Sequence, residues 1–410
     1  MRPLELAALG AALAYVAFLF LERALLTRAR KSLRLVAHVN GTRGKSETTR
    51  LLAAALRASG FTVLAKTTGT EPRTILPDGR ERRLFRAGAA NVREQRDLVL
   101  EAARRGADAV VAECMAVSPE AQRASSAFLS PDILVVTNSR RDHRGELGSP
   151  EEAAAVFAEG IPKGGSVVTA DPSLYPLLAE AAASLGARAI LAEPMGEAGS
   201  IFPDNAGAAL AAALLAGAER ESALAGMRAH LPDPGAFALR RLARKGGGSI
   251  LVADALAAND PDSTAILWER SLKVLARIRP PKPGARRILL LANRADRPDR
   301  SLAFAEFTAQ KAADFDALFL LGPLPMRAAR RLRAARKGAA RTGAARTGAG
   351  LPDRGASPSS VPRLVRFWRG SSVLAALRME PEDTFVLAAG NWKGFGPLLS
   401  MAAPPLEDAT

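Results

Sequence analysis

A single cysteine, Cys114, denies the chain any intramolecular disulfide and any zinc site built on clustered cysteines. That fits a catalytic part working in a reducing compartment such as the cytosol, although many secreted proteins also lack cysteine. Three histidines, His38, His143 and His230, are too few and too scattered for a histidine-rich metal centre. Acidic residues are short as well, 41 against 57 basic ones, which leaves a formal charge of +16. Such a balance ordinarily raises nucleic acid as a partner. Here, though, eight basic residues and no acidic one fall between Arg327 and Arg346, so half the excess sits in one Ala/Arg/Gly stretch. No aromatic stacking platform lies beside those arginines, and the stretch reads as a solvated helix end running into a loop. The expectation is that nucleic acid is not a partner.

What is present points to a globular protein: 410 residues, 48% of them hydrophobic, are enough for the cores of about two domains plus appendages. Leu6 to Leu21 is an uninterrupted apolar run, with Glu5 before it and Arg23, Arg28, Arg30, Lys31 and Arg34 after it. It is slightly shorter than the ~20 residues of a spanning helix, and Pro3, Leu4 and Glu22 extend it into the interfaces. A signal peptide would carry its charge before the apolar core and a small-residue cleavage site after it, so a retained single-pass anchor is expected. The basic flank puts everything after the span in the cytoplasm, at the inner or plasma membrane of a bacterium.

From Leu33 onward, apolar runs alternate with helical segments, the pattern of a parallel sheet covered on both faces. The first series of strands is expected at 33–39, 62–66, 107–113, 133–138, 166–169 and 189–192. A second series is expected at 249–253, 287–293, 317–321 and 384–389. Between them, LPDPGAF at 231–237 and the basic, glycine-rich RRLARKGGG read as an interdomain hinge. The fold class expected is therefore α/β: a P-loop-containing doubly wound parallel sheet, a second Rossmann-like α/β domain and an N-terminal transmembrane helix. Its parts are an anchor with its basic flank at 1–30, an ATP-binding domain at 31–238, and a C-terminal domain at 246–404 with a low-complexity insertion near 332–361.

The strongest chemical signal is NGTRGKS, Asn40 to Ser46, placed between a strand and a helix that carries Leu51, Leu52, Ala55 and Leu56 on one face. Gly41 and Gly44 let backbone N–H groups of Asn40, Thr42 and Arg43 converge on phosphate oxygens, and the helix N-terminus adds favourable partial charge. Lys45 would neutralise the β and γ phosphates of ATP, and Ser46 would ligate Mg2+. Val39 stands where a full P-loop has its first glycine.

This shortened loop resembles that of the Mur ligase superfamily, which includes the folylpolyglutamate synthases. The resemblance implies that ATP phosphorylates a carboxylate and that an amine then displaces phosphate to form an amide. Three further segments extend it: AECMAVSPE with Glu113, TNSRRDH with Asp142 and His143, and PDNAGAALAAA with Asn205. By resemblance Glu113 and His143 join Ser46 at the metal, Asp142 lies beside them, and Asn205 sits near the adenine. Standing alone, Glu113 reads equally as a strand-end carboxylate, Asp142 as a helix N-cap and His143 as a surface histidine.

Within the superfamily the chain is most similar to the poly-γ-glutamate synthase ligase subunit of the CapB/PgsB type. HVNGTRGKSETTR, KTTGTEPR, NVREQ, VVAECMAVSPE, TNSRRDH, ALAANDPDST, NRADRPDR and AGNWKGFG carry that similarity along nearly the whole chain. The family implies glutamate and growing polyglutamate as substrates, integral membrane subunits as partners, and an N-terminal anchor; homo-oligomerisation stays open. KTTGTEPR offers Lys66, Thr67, Thr68 and Arg73 to a polyanion. By family comparison Asn259, Asp260 and Arg294 close over the nucleotide, Arg297 and Arg300 position substrate, and Asp254 or Asp260 holds the incoming ammonium. The chain departs from the family at Ala295, which removes a carboxylate, and at Ala236 and Phe237, where a hinge arginine is usual. Two alternatives remain: a related ligase adding an amino acid to a folate or peptide, and a membrane-bound P-loop ATPase without ligase activity.

Overall fold

The computed structural model describes all residues except 1–2, 70, 87, 89, 117, 140–148, 197–201, 259, 281, 283–284, 343–361 and 407–410. The chain divides into two compact units, Met1–Asp233 and Pro234–Thr410.

Unit 1 opens with helix α1 (Pro3–Lys31), followed by β1 (Leu35–Asn40), α2 (Lys45–Ala58), β2 (Val63–Thr67), β3 (Arg73–Ile75), β4 (Glu81–Arg83) and α3 (Arg93–Arg104). It continues with β5 (Ala109–Glu113), α4 (Pro119–Leu129), β6 (Ile133–Val136), α5 (Pro150–Ala158), β7 (Ser166–Thr169), α6 (Tyr175–Ser184), β8 (Arg188–Leu191), α7 (Pro203–Leu215) and α8 (Arg220–Arg228). The sheet order is β4-β3-β2-β5-β1-β6-β7-β8, parallel except for β3, which runs antiparallel to both neighbours. Every residue of β1, β2 and β5 is buried, as continuous apolar strands covered on both faces must be.

Alternate residues feed two cores. Leu35, Ala37 and Val39 of β1 pack with Leu51, Leu52 and Leu56 of α2 and the small residues of α7 and α8. Val36 faces the other way, with Leu98, Val99 and Ala102 of α3 and Ala29 of α1. Each fully buried leucine is worth roughly 1.5–3 kcal/mol. Residues 9–21 of α1 are exposed, and Leu9–Lys31, with a mean hydropathy of 1.8, is long and apolar enough to cross a membrane.

Unit 2 contains β9 (Ala238–Ala243), β10 (Ser249–Asp254), α9 (Pro261–Ile278), β11 (Arg286–Ala292), α10 (Pro298–Lys311), β12 (Ala317–Leu321), α11 (Met326–Thr342), β13 (Arg363–Phe367), α12 (Gly370–Leu377), β14 (Thr384–Gly390) and α13 (Gly396–Ala402). Its sheet order is β13-β12-β11-β14-β10-β9, with only β9 antiparallel. Trp268 of α9 stacks on Phe385 at 5.1 Å and meets Phe315 at the same distance, which closes one face of this sheet.

Two expectations need correction. Of the stretch read as hinge beyond Phe237, residues 238–243 form strand β9, because Leu239 and Leu242 are buried and Arg240 is neutralised by Asp254, and only 244–248 turn between strands. The segment expected as a long loop from about 332 is helical as far as it is described: α11 continues to Thr342, with Ala328 and Leu332, one helical turn apart, both buried.

Candidate active site

The carboxyl ends of β1, β2, β5 and β6 meet at one edge of the unit 1 sheet, where ligands bind in open α/β folds. The turn from β1 into α2 passes through Gly41 and Gly44 at φ of 118° and 83°, conformations that side chains resist. A Cβ on Gly44 would lie 2.4 Å from Asn205 Oδ1, so Asn205 seats directly on the loop. Its amide nitrogen donates to Glu47 Oε2 at 2.6 Å.

The loop is braced both by its own side chains and by neighbouring elements. Asn40 Oδ1 accepts the Gly41 N–H at 2.8 Å, while its amide donates to Gln122 of α4 at 2.9 Å. Thr42 Oγ1 donates to Asn138 Oδ1 at 2.7 Å, and the Arg43 N–H donates to the same oxygen at 3.2 Å. Thr137 Oγ1 and Asn138 Nδ2 in turn donate to the Arg43 carbonyl at 2.6 and 3.0 Å. Sequence reasoning missed this supporting role of Gln122, Thr137 and Asn138. The Thr-Asn pair at the end of a buried strand was the available signal.

Lys45 Nζ donates to the carbonyls of Gly41 and Thr42 at 2.6 and 3.2 Å, which holds its charge over the loop. Ser46 Oγ donates to Glu113 Oε2 at 2.9 Å, and the Thr68 N–H donates to that same oxygen at 2.5 Å. Gln95 of α3 anchors the end of β5 by donating to the Glu113 carbonyl at 2.9 Å. Gly69 allows a close approach here: a Cβ on it would lie 2.6 Å from Ser46 Oγ and 2.9 Å from Asp233 Oδ2.

Lys66 and Thr67 are fully enclosed. Lys66 Nζ pairs with Glu94 at 2.9 Å and touches Met115 Sδ at 3.3 Å; burial lowers its pKa against the opposing pull of Glu94. Burial disfavours the Glu94 charge, but hydrogen bonds from Arg86 and Lys66 outweigh it and lower that pKa. Arg73 pairs with Glu71 at 2.8 Å and Glu81 at 3.3 Å. Lys66 and Arg73, read from sequence as cations facing a polyanion, therefore already hold protein carboxylates. Asp142 and His143 lie outside the described residues.

In unit 2, Asp254 is completely buried and bonded to Arg240 Nε at 2.7 Å, and burial raises its pKa against that partner. Its carboxylate is thus committed to the core. Asp260 caps α9 by accepting the Ser263 N–H at 2.8 Å. Arg294 pairs with Asp296 at 2.6 Å, while Arg300 donates to Asn391 Oδ1 at 2.8 Å. Arg297 sits at the N-cap position of α10. Asn259 lies outside the described residues.

Ser46 and Glu113 offer a hydroxyl and a carboxylate oxygen 2.9 Å apart, hard donors that suit a small divalent cation. Among the described residues no group of three or more His, Cys, Asp or Glu side chains could hold a metal. Ser46 and Glu113 thus give two protein donors for such a cation among the described residues, and His143, expected as a third, lies outside them.

Comparison with known proteins gives the chain's relatives. Residues 39–206 match the Mur ligase middle domain, and residues 239–403 match the poly-gamma-glutamate synthase CapB C-terminal domain. PGA synthase CapB of Bacillus subtilis is 33% identical over 280 residues, covering 65% of this chain and 70% of the relative. Capsule biosynthesis protein CapB of Bacillus anthracis is 34% identical over 251 residues, covering 58% and 54%. Among solved structures, MurF of Acinetobacter baumannii superposes with a TM-score of 0.61 at 16% identity, covering 93% of this chain and 79% of that one. FolC of E. coli, solved with DHPP and ADP, gives 0.59 at 18% identity, covering 93% and 92%. A folylpolyglutamate synthase/dihydrofolate synthase with Mn, AMPPNP and L-glutamate bound gives 0.60 at 16% identity, covering 92% and 91%. These structural likenesses establish a shared fold, and the two-part sequence match establishes kinship: the chain belongs to the poly-γ-glutamate synthase CapB family.

Proposed function

We propose that this chain is an ATP-dependent amide ligase that polymerises glutamate into poly-γ-glutamate through an acyl-phosphate intermediate. The observation that carries the reading is the loop Asn40–Ser46, braced by Asn138 and joined through Ser46 to Glu113, in a chain of the CapB family.

ATP binds with its phosphates over the loop amides, and Lys45 exchanges the Gly41 and Thr42 carbonyls for β and γ phosphate oxygens. A divalent ion, magnesium in our reading, would be held by Ser46, Glu113 and His143 and supplies Lewis-acid neutralisation of the phosphate oxygens. The γ-phosphoryl group passes to the terminal carboxylate of the acceptor: its bond to the ADP oxygen breaks as one to the carboxylate oxygen forms. The amine of an incoming glutamate then attacks the activated carbonyl carbon, loses a proton and expels inorganic phosphate. Lys45 and the loop N–H groups stabilise charge on the transferred group, which is the principal task in phosphoryl transfer. Thr68 fixes the Glu113 carboxylate through its N–H, and the family resemblance assigns the adenine base to Asn205 and a supporting role at the metal to Asp142. The family resemblance assigns nucleotide contacts to Asn259, Asp260 and Arg294, and contacts to the glutamate carboxylates to Arg297 and Arg300.

The exposed apolar half of α1 followed by basic residues supports a single-pass anchor in a bacterial inner or plasma membrane, with the catalytic units in the cytoplasm. A polyanion made there must cross the bilayer, and one helix cannot form a pore, so integral membrane subunits are the expected partners.

The test is to trap the product of the purified chain with radiolabelled glutamate and ATP and measure its length. A ladder of glutamate oligomers resistant to α-peptide-specific proteases is expected. A single addition to a folate or peptide acceptor would overturn the polymerase reading.

A further inference from the structure

The path of α1 across unit 1 fixes which edge of the sheet its exposed end leaves. At the amino edge of the strands, Arg30 bonds Asp132 Oδ1 at 2.7 Å and the Ser130 carbonyl at 2.8 Å, just before β6 begins. Asp132 Oδ2 also accepts the Val36 N–H at 2.7 Å, near the start of β1. Between the edges, Leu26 and Ala29 pack against Leu98, Val99 and Ala102 of α3. At the carboxyl edge, Glu22 forms an ion pair with Arg96. Arg96 follows Gln95, whose side chain holds the Glu113 carbonyl, and Glu94, which pairs with Lys66. The helix therefore climbs the full height of the sheet and departs beside the phosphate loop's edge.

No flexible tether separates the anchor from the domain, because α1 is one unbroken helix from Pro3 to Lys31. The apolar run Leu6–Leu21 spans about 24 Å at ~1.5 Å per residue. The hydrocarbon core is ~30 Å thick, so a crossing consumes the whole run and sets the membrane surface at Glu22 and Arg23. That is the level of the Arg96 contact.

The same edge carries a surface suited to lipid headgroups. Phe85, two residues beyond the end of β4, is 85% exposed, with the Arg83 guanidinium 5.6 Å from its ring. Arg93, at the start of α3, is exposed as well. An aromatic ring with cations around it is the composition that settles at a membrane interface.

We propose that α1 holds unit 1 with the carboxyl edge of its sheet, and so its phosphate loop, turned toward the bilayer, and that Arg83, Phe85 and Arg93 contact anionic lipid headgroups. This rests on α1 being a membrane anchor. Its consequence is that chain growth takes place against the membrane surface, where a polyanion can pass to a transmembrane partner without crossing the cytoplasm.

The full chain, reconstituted in vesicles of phosphatidylcholine and phosphatidylglycerol with a fraction of headgroup spin-labelled lipid, tests this. A fluorophore is placed at Phe85→Cys or at Ser184→Cys, the latter exposed at the end of α6 on the opposite edge. Native Cys114 is buried and stays unlabelled. Lipid quenching at position 85 should exceed that at 184 at least threefold, and Arg93→Cys should behave like Phe85→Cys if the latter misfolds. Equal quenching at both edges, or a reversed order, in protein that floats with the vesicles would overturn the orientation alone. Failure to float would overturn the anchor and the proposal with it, and neither result bears on ligase activity.

Discussion

His38 offers a titration that reports directly on the packing behind the phosphate loop. It lies two residues before Asn40, is fully buried, and sits 3.3 Å from Ser125 Oγ and 3.5 Å from Ser126 Oγ of α4. Burial, reinforced by the positive charge of Lys66, pushes its pKa down from 6.5 to about 4. Below pH 6.5 the unfolded chain thus takes up a proton that the folded chain refuses. Stability is held above that pH and lost as pH falls toward 4. Between pH 7 and 4.5 the loss from this one group is about 2.5 kcal/mol, at ~1.4 kcal/mol per pH unit over most of that window. That is a large share of the ~5–15 kcal/mol by which domains are stable. Other groups titrate too, so the decisive quantity is a difference: His38→Gln, which stays neutral and can still bond Ser125, should lose about 2.5 kcal/mol less than the parent in urea unfolding in detergent. With only three histidines in the chain, the His38 ring can also be followed by NMR. Equal pH dependence in both proteins, or a His38 midpoint near 6.5, would refute the burial argument.

Arg50, in the helix that follows the loop, pairs with Glu81 and, at 3.1 Å, with Asp233, all three largely shielded from solvent. Arg50→Ala should cost about 3–5 kcal/mol by stranding two carboxylates, and Arg50→Lys clearly less; a loss below about 1 kcal/mol in denaturant unfolding would contradict the network. Gly44→Ala forces a left-handed residue at ~1–2 kcal/mol and drives a methyl into Asn205, 2.4 Å away. Fluorescent nucleotide binding should weaken about tenfold or more, since each ~1.4 kcal/mol is a factor of ten, and an unchanged Kd would show that the loop tolerates a different conformation.

Much of the fold is legible because its central strands are continuous apolar runs: 166–169 and 317–321 coincide with β7 and β12, and 249–253 falls one residue short of β10. Strands β3, β4, β9 and β13 are not foreseen; β13, at the edge of its sheet, reads RLVRF and buries none of its residues fully. β3 and β4 are three residues long and rich in Arg and Glu. β9 hides its apolar alternation behind Arg240 and Arg241, and only the pairing of Arg240 with Asp254, fourteen residues on, makes burial affordable. The loop itself is readable as a local motif, whereas its bracing by Asn138, 96 residues away from Thr42, is a tertiary fact. Lys66 illustrates the converse. A lysine beside threonines reads as a surface cation, and nothing local announces that Glu94 will follow it into the interior.

The most direct test of the central claim is phosphate release from ATP by the membrane-reconstituted chain, measured with and without glutamate, for the parent and for Lys45→Ala. Release that depends on glutamate in the parent and falls to background in a folded Lys45→Ala variant is the predicted result. Turnover indifferent to glutamate, or undiminished without Lys45, would contradict the assignment of this loop to a glutamate ligase.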